Sequence, residues 1–145
     1  MNKLGPLFLA LLASCGPTAE QTATNQEQIP ANKQQAAPAA PLAGKWTVTE
    51  MDGQPLTQIF PMTASAAGNR LTINSDCVAM SWEYRQDRNM VSFGQPSLKE
   101  CPRGRTLDED RVERSIGNAK IALFSEGGRK VQLSGAGGTV TMARR

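Results

Sequence analysis

In the run Val78-Ala79-Met80-Ser81-Trp82-Glu83-Tyr84-Arg85, large apolar side chains alternate with small or charged ones without a break. Successive side chains of a strand point to opposite faces. The pattern therefore places Val78, Met80, Trp82 and Tyr84 on one face and Ala79, Ser81, Glu83 and Arg85 on the other. A helix would scatter these same groups around its circumference, so the segment is a half-buried strand. A strand with one dry face needs neighbours, and the sequence supplies them. Trp46-Thr47-Val48-Thr49-Glu50 carries strand formers ahead of an Asp52-Gly53 turn, and Leu71 and Ile73 alternate with Thr72 and Asn74. After a turn at Gln86-Asp87-Arg88-Asn89, Val91 and Phe93 resume the apolar face. Towards the end, Ile121 and Leu123, Val131 and Leu133, and Val140 and Met142 form three successive strands. Gly127-Gly128 and Gly137-Gly138 join them, which makes an antiparallel meander.

One segment departs from the two-residue period. Thr106-Leu107-Asp108-Glu109 has the form of a capping box: the threonine hydroxyl accepts the Glu109 amide and the Glu109 carboxylate reaches back. Asp108, Glu109 and Asp110 suit the positive end of a helix dipole. Leu107, Val112, Ile116 and Ala119 follow at helical spacing, with Gly117 as a stop, so a helix of about three turns packs an apolar stripe on the sheet. The expected fold class is α+β, mainly antiparallel β: a small curled sheet or barrel with one packed helix. No internal repeat is evident.

The 145-residue chain suffices for one domain, and its three cysteines divide it. Lys3, the apolar run Leu4 to Leu12 and the small residues Ala13-Ser14 lead to Cys15. This is a targeting segment over residues 1–14 whose Leu12-Ala13-Ser14-Cys15 end resembles the bacterial lipobox, in which the cysteine is acylated and becomes the new N-terminus. Two or more acyl chains give stable anchoring. Gly16 stands where an Asp would retain a lipoprotein at the inner membrane, so the expected place is the outer membrane, with the domain facing the periplasm. Residues 15–41 form a lipid-anchored linker rich in Gln, Ala and Pro, with Ile29 its one large apolar side chain, too little to offset ordering. As a coil, it spans roughly 30 Å. With Cys15 given to lipid, Cys77 and Cys101 are expected to pair in an oxidising compartment. Closing a loop of that length contributes roughly 3 kcal/mol in the chain-entropy view.

The sequence contains no histidine, which excludes Ser-His-Asp and Cys-His catalysis and removes the commonest metal ligand. No S-x-x-K motif, metal-ligand spacing or phosphate-cradling loop occurs; Gly135-Ala136-Gly137-Gly138 lies between strands and reads as a hairpin. Glu83, Asp87 and Glu100 are the carboxylates a glycosidase would draw on. Glu83 and Asp87 share a face with Arg85, so a solvated charged face is the better reading. No catalytic residue, metal or cofactor is expected. Lys99, Arg103, Arg105, Arg111 and Arg114 cluster about the second cysteine and the helix, with Arg144-Arg145 at the terminus. They are candidate anion-binding residues for headgroup or lipopolysaccharide phosphates. The competing reading is that residues 108–110 and Glu113 neutralise them locally, leaving ordinary solvated charge. Too few aromatics are present for nucleic-acid stacking. Trp82 belongs either to the core or to a ligand cavity within a barrel.

The order of features from residue 42 onward resembles the META-domain (HslJ-like) family. An opening Gly-x-Trp strand with a D-G turn ("GKWTVTEMDGQPL") comes first. A cysteine then leads an aromatic strand ("DCVAMSWEY"), a short strand ends in F-G, and a second cysteine precedes Pro, an acidic helix and a meander. Val78 stands where the family has Asn, Met80 where it has an aromatic and Trp82 where it has Gly, while Cys77, Ser81, Tyr84 and Cys101 keep the pattern. The resemblance covers 42–145 and implies a non-catalytic envelope lipoprotein acting through binding in envelope integrity or in stress and drug tolerance. Its implied partners are the membrane, through the acyl chains, and an envelope component or anionic headgroup. An alternative is a lipoprotein inhibitor of lysozyme-type enzymes that inserts a loop into the enzyme's cleft.

Overall fold

The computed structural model describes residues 40–57, 59–99 and 101–145. Cys15, the targeting segment, most of the linker and Glu100 lie outside the described residues. Ten strands and one α-helix follow in chain order: β1 (Gly44–Met51), β2 (Gln54–Pro55), β3 (Met62–Ala67), β4 (Arg70–Ser75), β5 (Val78–Asp87), β6 (Met90–Phe93), β7 (Ser97–Lys99), α1 (Leu107–Gly117), β8 (Ala119–Ser125), β9 (Lys130–Gly135) and β10 (Gly138–Arg144). Eight of them pair antiparallel in the order β1-β3-β4-β5-β6-β8-β9-β10, and β10 returns to β1, so the sheet closes as a barrel. Closure removes the sheet edges that would template association. β2 folds back on β1, and β7 pairs with the first half of β5.

A barrel of eight strands is just wide enough for side chains to fill it. Val78, Met80, Trp82 and Tyr84 of β5 point inward as the alternation requires, joined by Trp46, Leu71, Ile73, Leu133 and Met142. Space for Trp46 comes from β3, where Ala64 lies opposite it in the register and also opposite Ile73 of β4. The bulky indole takes the volume that the alanine leaves. Arg144 then covers the outside of Trp46, its guanidinium 4.4 Å from the ring centroid.

The capping box forms as the sequence indicates: the Glu109 amide donates to Thr106 Oγ1 at 3.2 Å, and the Thr106 amide donates to Glu109 Oε2 at 2.7 Å. Val112 and Ile116 are fully buried against the barrel. Leu107 is not; it is 81% exposed. At 100° per residue it stands roughly 140° from Val112, and the inward position of the first turn goes to Glu109. Ala119 is buried from β8, beyond the helix. The helix packs on β9 and β10 at very short range. A Cβ on Gly137 would strike the Arg114 carbonyl oxygen, and one on Gly135 the Asn118 carbonyl oxygen. Ser115 Oγ donates to the Gly137 carbonyl at 2.7 Å.

The Cys77–Cys101 disulfide is present, with a Cα–Cα distance of 5.8 Å, and ties the β4–β5 turn to the segment leading into α1. At β8 a bulge between Ala119 and Ile121 resets the alternation, so Ala122 faces inward while Ile121 and Leu123 lie on the outer wall.

Two local irregularities shape the surface. β6 pairs with the second half of β5 and β7 with the first, and the chain between them, Gly94 to Pro96, leaves the ladder. There the Gly94 amide still holds on, donating to the Glu83 carbonyl at 2.8 Å. The β6–β8 seam is also thin: Met90 opposite Ile121, supplemented by the Ala122 amide donating to the Asn89 carbonyl at 2.8 Å. Beyond that pair the two strands diverge.

Candidate functional site

Three of the five candidate anion-binding residues turn toward carboxylates. Arg103 grips Glu109 with two nitrogens, at 3.1 and 2.6 Å, and reaches Asp76 at 3.3 Å and the Ser75 carbonyl at 3.2 Å. Its guanidinium also lies 4.1 Å from the centroid of the Phe60 ring. Glu109 is fully buried. Burial by itself drives such a carboxyl up, but hydrogen bonds from Arg103, the Thr106 amide and the Ser75 hydroxyl outweigh it and hold the group at about 2. The carboxylate in turn pushes the Arg103 guanidinium above its ordinary value. Arg105 bridges two helix carboxylates, Asp110 at 2.9 Å and Glu113 at 2.8 Å. Arg111 spans to Asp52 at 3.1 Å and Asp108 at 3.8 Å. Lys99, on β7, and Arg114, on α1, are exposed and make no ion pair among the described residues. The five cations thus do not converge on one surface. Only Arg105 and Arg114 face a common depression. On the outer wall Glu83 meets Arg70 at 3.8 Å with both side chains largely exposed, an ordinary solvated pair.

That depression is a cleft of 480 Å³ opened by the two irregularities of the barrel. One wall is the excursion Phe93-Gly94-Gln95-Pro96; the other is α1, with Arg105, Asp110, Glu113 and Arg114, and it ends at Gly117 and Asn118. Two smaller hollows adjoin it. One of 350 Å³ shares Phe93 and Gly94 and reaches Tyr84; the other, of 200 Å³, shares Gln95 and reaches Trp82. Phe93 stands beside Tyr84 with ring centroids 5.9 Å apart. Burial pushes the Tyr84 phenol up, keeping it protonated.

Trp82 belongs to the core, being 1% exposed, yet its Nε1 is a buried donor without an acceptor. Trp46 offers the contrast, since its Nε1 donates to the Leu42 carbonyl at 2.8 Å. The unpaired indole nitrogen lies beneath Gly117, where a Cβ would stand 3.8 Å away. Asp110 Oδ1 is buried, and its contact with Arg105 is an ion pair that lacks hydrogen-bond alignment.

The charged groups of the cleft cancel, Arg105 and Arg114 against Asp110 and Glu113, while Gln95 and Asn118 add amides. The Asn118 amide nitrogen is occupied by the Arg114 carbonyl at 2.8 Å, leaving its oxygen as an acceptor. The lining presents donors and acceptors but no hydroxyl, thiol or amine nucleophile. In the sequence the cleft has a faint trace: Gly94 and Pro96 flank the excursion and disfavour a continuous ladder there. That a helix lies opposite it is settled only by the fold.

No family model matches the sequence, and no curated protein matches it. Among solved structures, the chain is similar to an NMR structure of a protein from Burkholderia xenovorans, at 17% identity and a TM-score of 0.48, over 70% of this chain and 81% of that one.

Proposed function

We propose that the chain is a lipid-tethered, non-catalytic binding barrel of the cell envelope, of META type, contributing to envelope integrity or to stress and drug tolerance. The observation that carries the non-catalytic reading is the state of the cleft's carboxylates. Asp110 and Glu113 are both held by Arg105, so neither is left as a poised acid or base opposite the other. The tether rests on the lipobox-like end of the targeting segment at Cys15 and on the cysteine count that leaves Cys77 and Cys101 as a pair. The test is intact-mass analysis of the protein from its native host, together with a glycan and ester hydrolysis panel. Loss of residues 1–14, added fatty acyl mass on Cys15 and no turnover are expected. An unprocessed or unacylated mature chain would overturn the tether, and turnover abolished by Glu113→Gln would overturn the non-catalytic reading.

The alternative, an inhibitor of lysozyme-type enzymes, draws on one feature. Ile59, between β2 and β3, is 85% exposed and lines a small hollow with Thr106 and Asp108 at the start of α1. An apolar loop tip of this kind suits insertion into another protein's cleft. Titration against c-type lysozyme decides it: lysis unchanged at equimolar protein removes this reading.

A further inference from the structure

We propose that the end of the barrel where the linker enters is a docking face for the anionic phospholipid headgroups of a bilayer, with Lys45, Arg88, Arg129 and Arg145 as its contact residues. The docking face deepens the reading of the chain as lipid-tethered and rests on it.

Neighbouring strands of the barrel run antiparallel, so the start of β1, the β5–β6 turn, the turn between β8 and β9 and the end of β10 come to one end. Hydrogen bonds fasten the entering chain among them. Gln86 Nε2 donates to the Ala40 carbonyl at 3.1 Å and to the Arg88 carbonyl at 2.8 Å, and its Oε1 accepts from the Leu42 amide at 2.8 Å. The Arg144 guanidinium donates to the carbonyls of Pro41, Ala43 and Gly128. The Arg144 amide donates to the Arg129 carbonyl at 2.7 Å, and the Arg145 amide to the Lys45 carbonyl at 3.0 Å. Residue 40 is thus fixed at this end, and the sequence that leads back to Cys15 joins the barrel there.

The same end carries cations that the fold leaves without carboxylates. Lys45, Arg88, Arg129 and Arg145 are exposed, and the ion pairs among the described residues involve none of them. Asp87 and Glu126 are the acidic side chains of the two turns, fewer than the cations beside them. At the opposite end Asp52, Asp76 and the α1 carboxylates take up Arg103, Arg105 and Arg111. A barrel basic at one end and compensated at the other turns its basic end toward an anionic surface. The four residues come from separate turns and strand ends, so they spread over the end instead of closing around one ion. That arrangement suits the many headgroups of a bilayer better than a single free anion. Weak attraction suffices, because a flexible linker holds its domain at an effective concentration on the order of mM. Each Lys or Arg near an anionic membrane raises partitioning about fivefold.

The test uses the full acylated chain in vesicles of phosphatidylcholine, with and without phosphatidylglycerol. Phenylglyoxal and acetic anhydride label exposed arginines and lysines, and mass spectrometry reads the rate at each. With phosphatidylglycerol present, labelling of Lys45, Arg88, Arg129 and Arg145 should slow about fivefold. Lys99 and Arg114, exposed at the opposite end, should keep their rates. Raising salt to about 0.5 M should remove the slowing. Arg88→Glu with Arg129→Glu should abolish it at Lys45 and Arg145 with the melting temperature unchanged, whereas Lys99→Glu with Arg114→Glu should leave it intact. Equal rates in the two kinds of vesicle, equal slowing at both ends, or slowing kept by a folded Arg88→Glu/Arg129→Glu chain would each overturn the docking face. Slowing by inorganic phosphate without vesicles would overturn it too, in favour of a free-anion site. A chain found unacylated by intact mass counts against the tether alone. Added to the same vesicles at high lipid, that chain should still show the slowing, and its absence there would overturn the docking face.

Discussion

Replacing Glu109 by Gln tests whether the buried carboxylate stabilises the fold as an ion. The carboxyl lies at about 2 in the folded protein, against an ordinary value of 4.5. Between these values the unfolded chain binds a proton that the folded chain does not, so stability rises with pH through the window and is fully present above it. At about 1.4 kcal/mol per pH unit, the contribution at neutral pH is about 3 kcal/mol. Breaking a buried pair commonly costs about 3–5 kcal/mol. The lower figure suits this site, because Arg103 keeps Asp76 and part of its guanidinium reaches solvent. A domain of this size loses about 4–8 °C per kcal/mol, so the variant should melt roughly 15 °C lower at neutral pH. Thermal unfolding followed by circular dichroism, from about pH 7 down to about pH 2, compares the two chains. Their difference should be constant above about pH 5 and shrink steadily below it, as the wild type loses what the variant never had. Other carboxylates titrate in both proteins and cancel in the difference. Parallel curves over the whole range would refute the reasoning.

Reducing the Cys77–Cys101 bridge should destabilise the domain by roughly 3 kcal/mol, read as a lower unfolding midpoint in reductant. Coincident melts would contradict it. Gly137→Ala should cost about 1–3 kcal/mol in denaturant unfolding, because its Cβ would meet the Arg114 carbonyl oxygen and neither the helix nor the hairpin backbone can yield cheaply. Gly53→Ala, at φ +76 with open space around it, should cost about 1 kcal/mol from backbone strain alone. Equal losses at the two positions would mean that contact between hairpin and helix is not what fixes the glycine.

Much of the barrel is legible in the sequence because its signals are local. β5 announces itself by amplitude, large against small or charged, and the glycine pairs place the turns of the β8–β9–β10 meander. The capping box needs only Thr106 and Glu109, three residues apart. β3 alternates just as strictly, but its inward residues after Met62 are Ala64 and Ala66, too small to stand out until Trp46 is known to lie opposite. Leu107 misleads because the apolar face of the first turn is occupied by a carboxylate, and hydrophobic periodicity cannot anticipate a buried charge whose partner arrives from outside the helix. The β8 bulge is likewise silent in the sequence, since one extra residue puts Ile121 and Leu123 on the outer wall without changing composition. The arginines are the same problem on a larger scale. Their positions cluster in sequence, but their partners, Asp76 for Arg103 and Asp52 for Arg111, come from distant turns.

The cleft lies where the barrel's own rules lapse. Along most of its circumference each strand has a neighbour on both sides, so backbone groups are satisfied and inward side chains are sealed. Around residues 93–96 the chain steps off the ladder between β6 and β7, and at the β6–β8 seam one residue pair remains among the described residues. The Trp82 N–H without a partner belongs to this neighbourhood, while the buried Asp110 Oδ1 is met by the Arg105 guanidinium at 2.9 Å. A buried N–H left unmet in a folded chain opposes folding. One such cost is tolerated here because the rest of the wall is paired strand to strand and stapled by a disulfide.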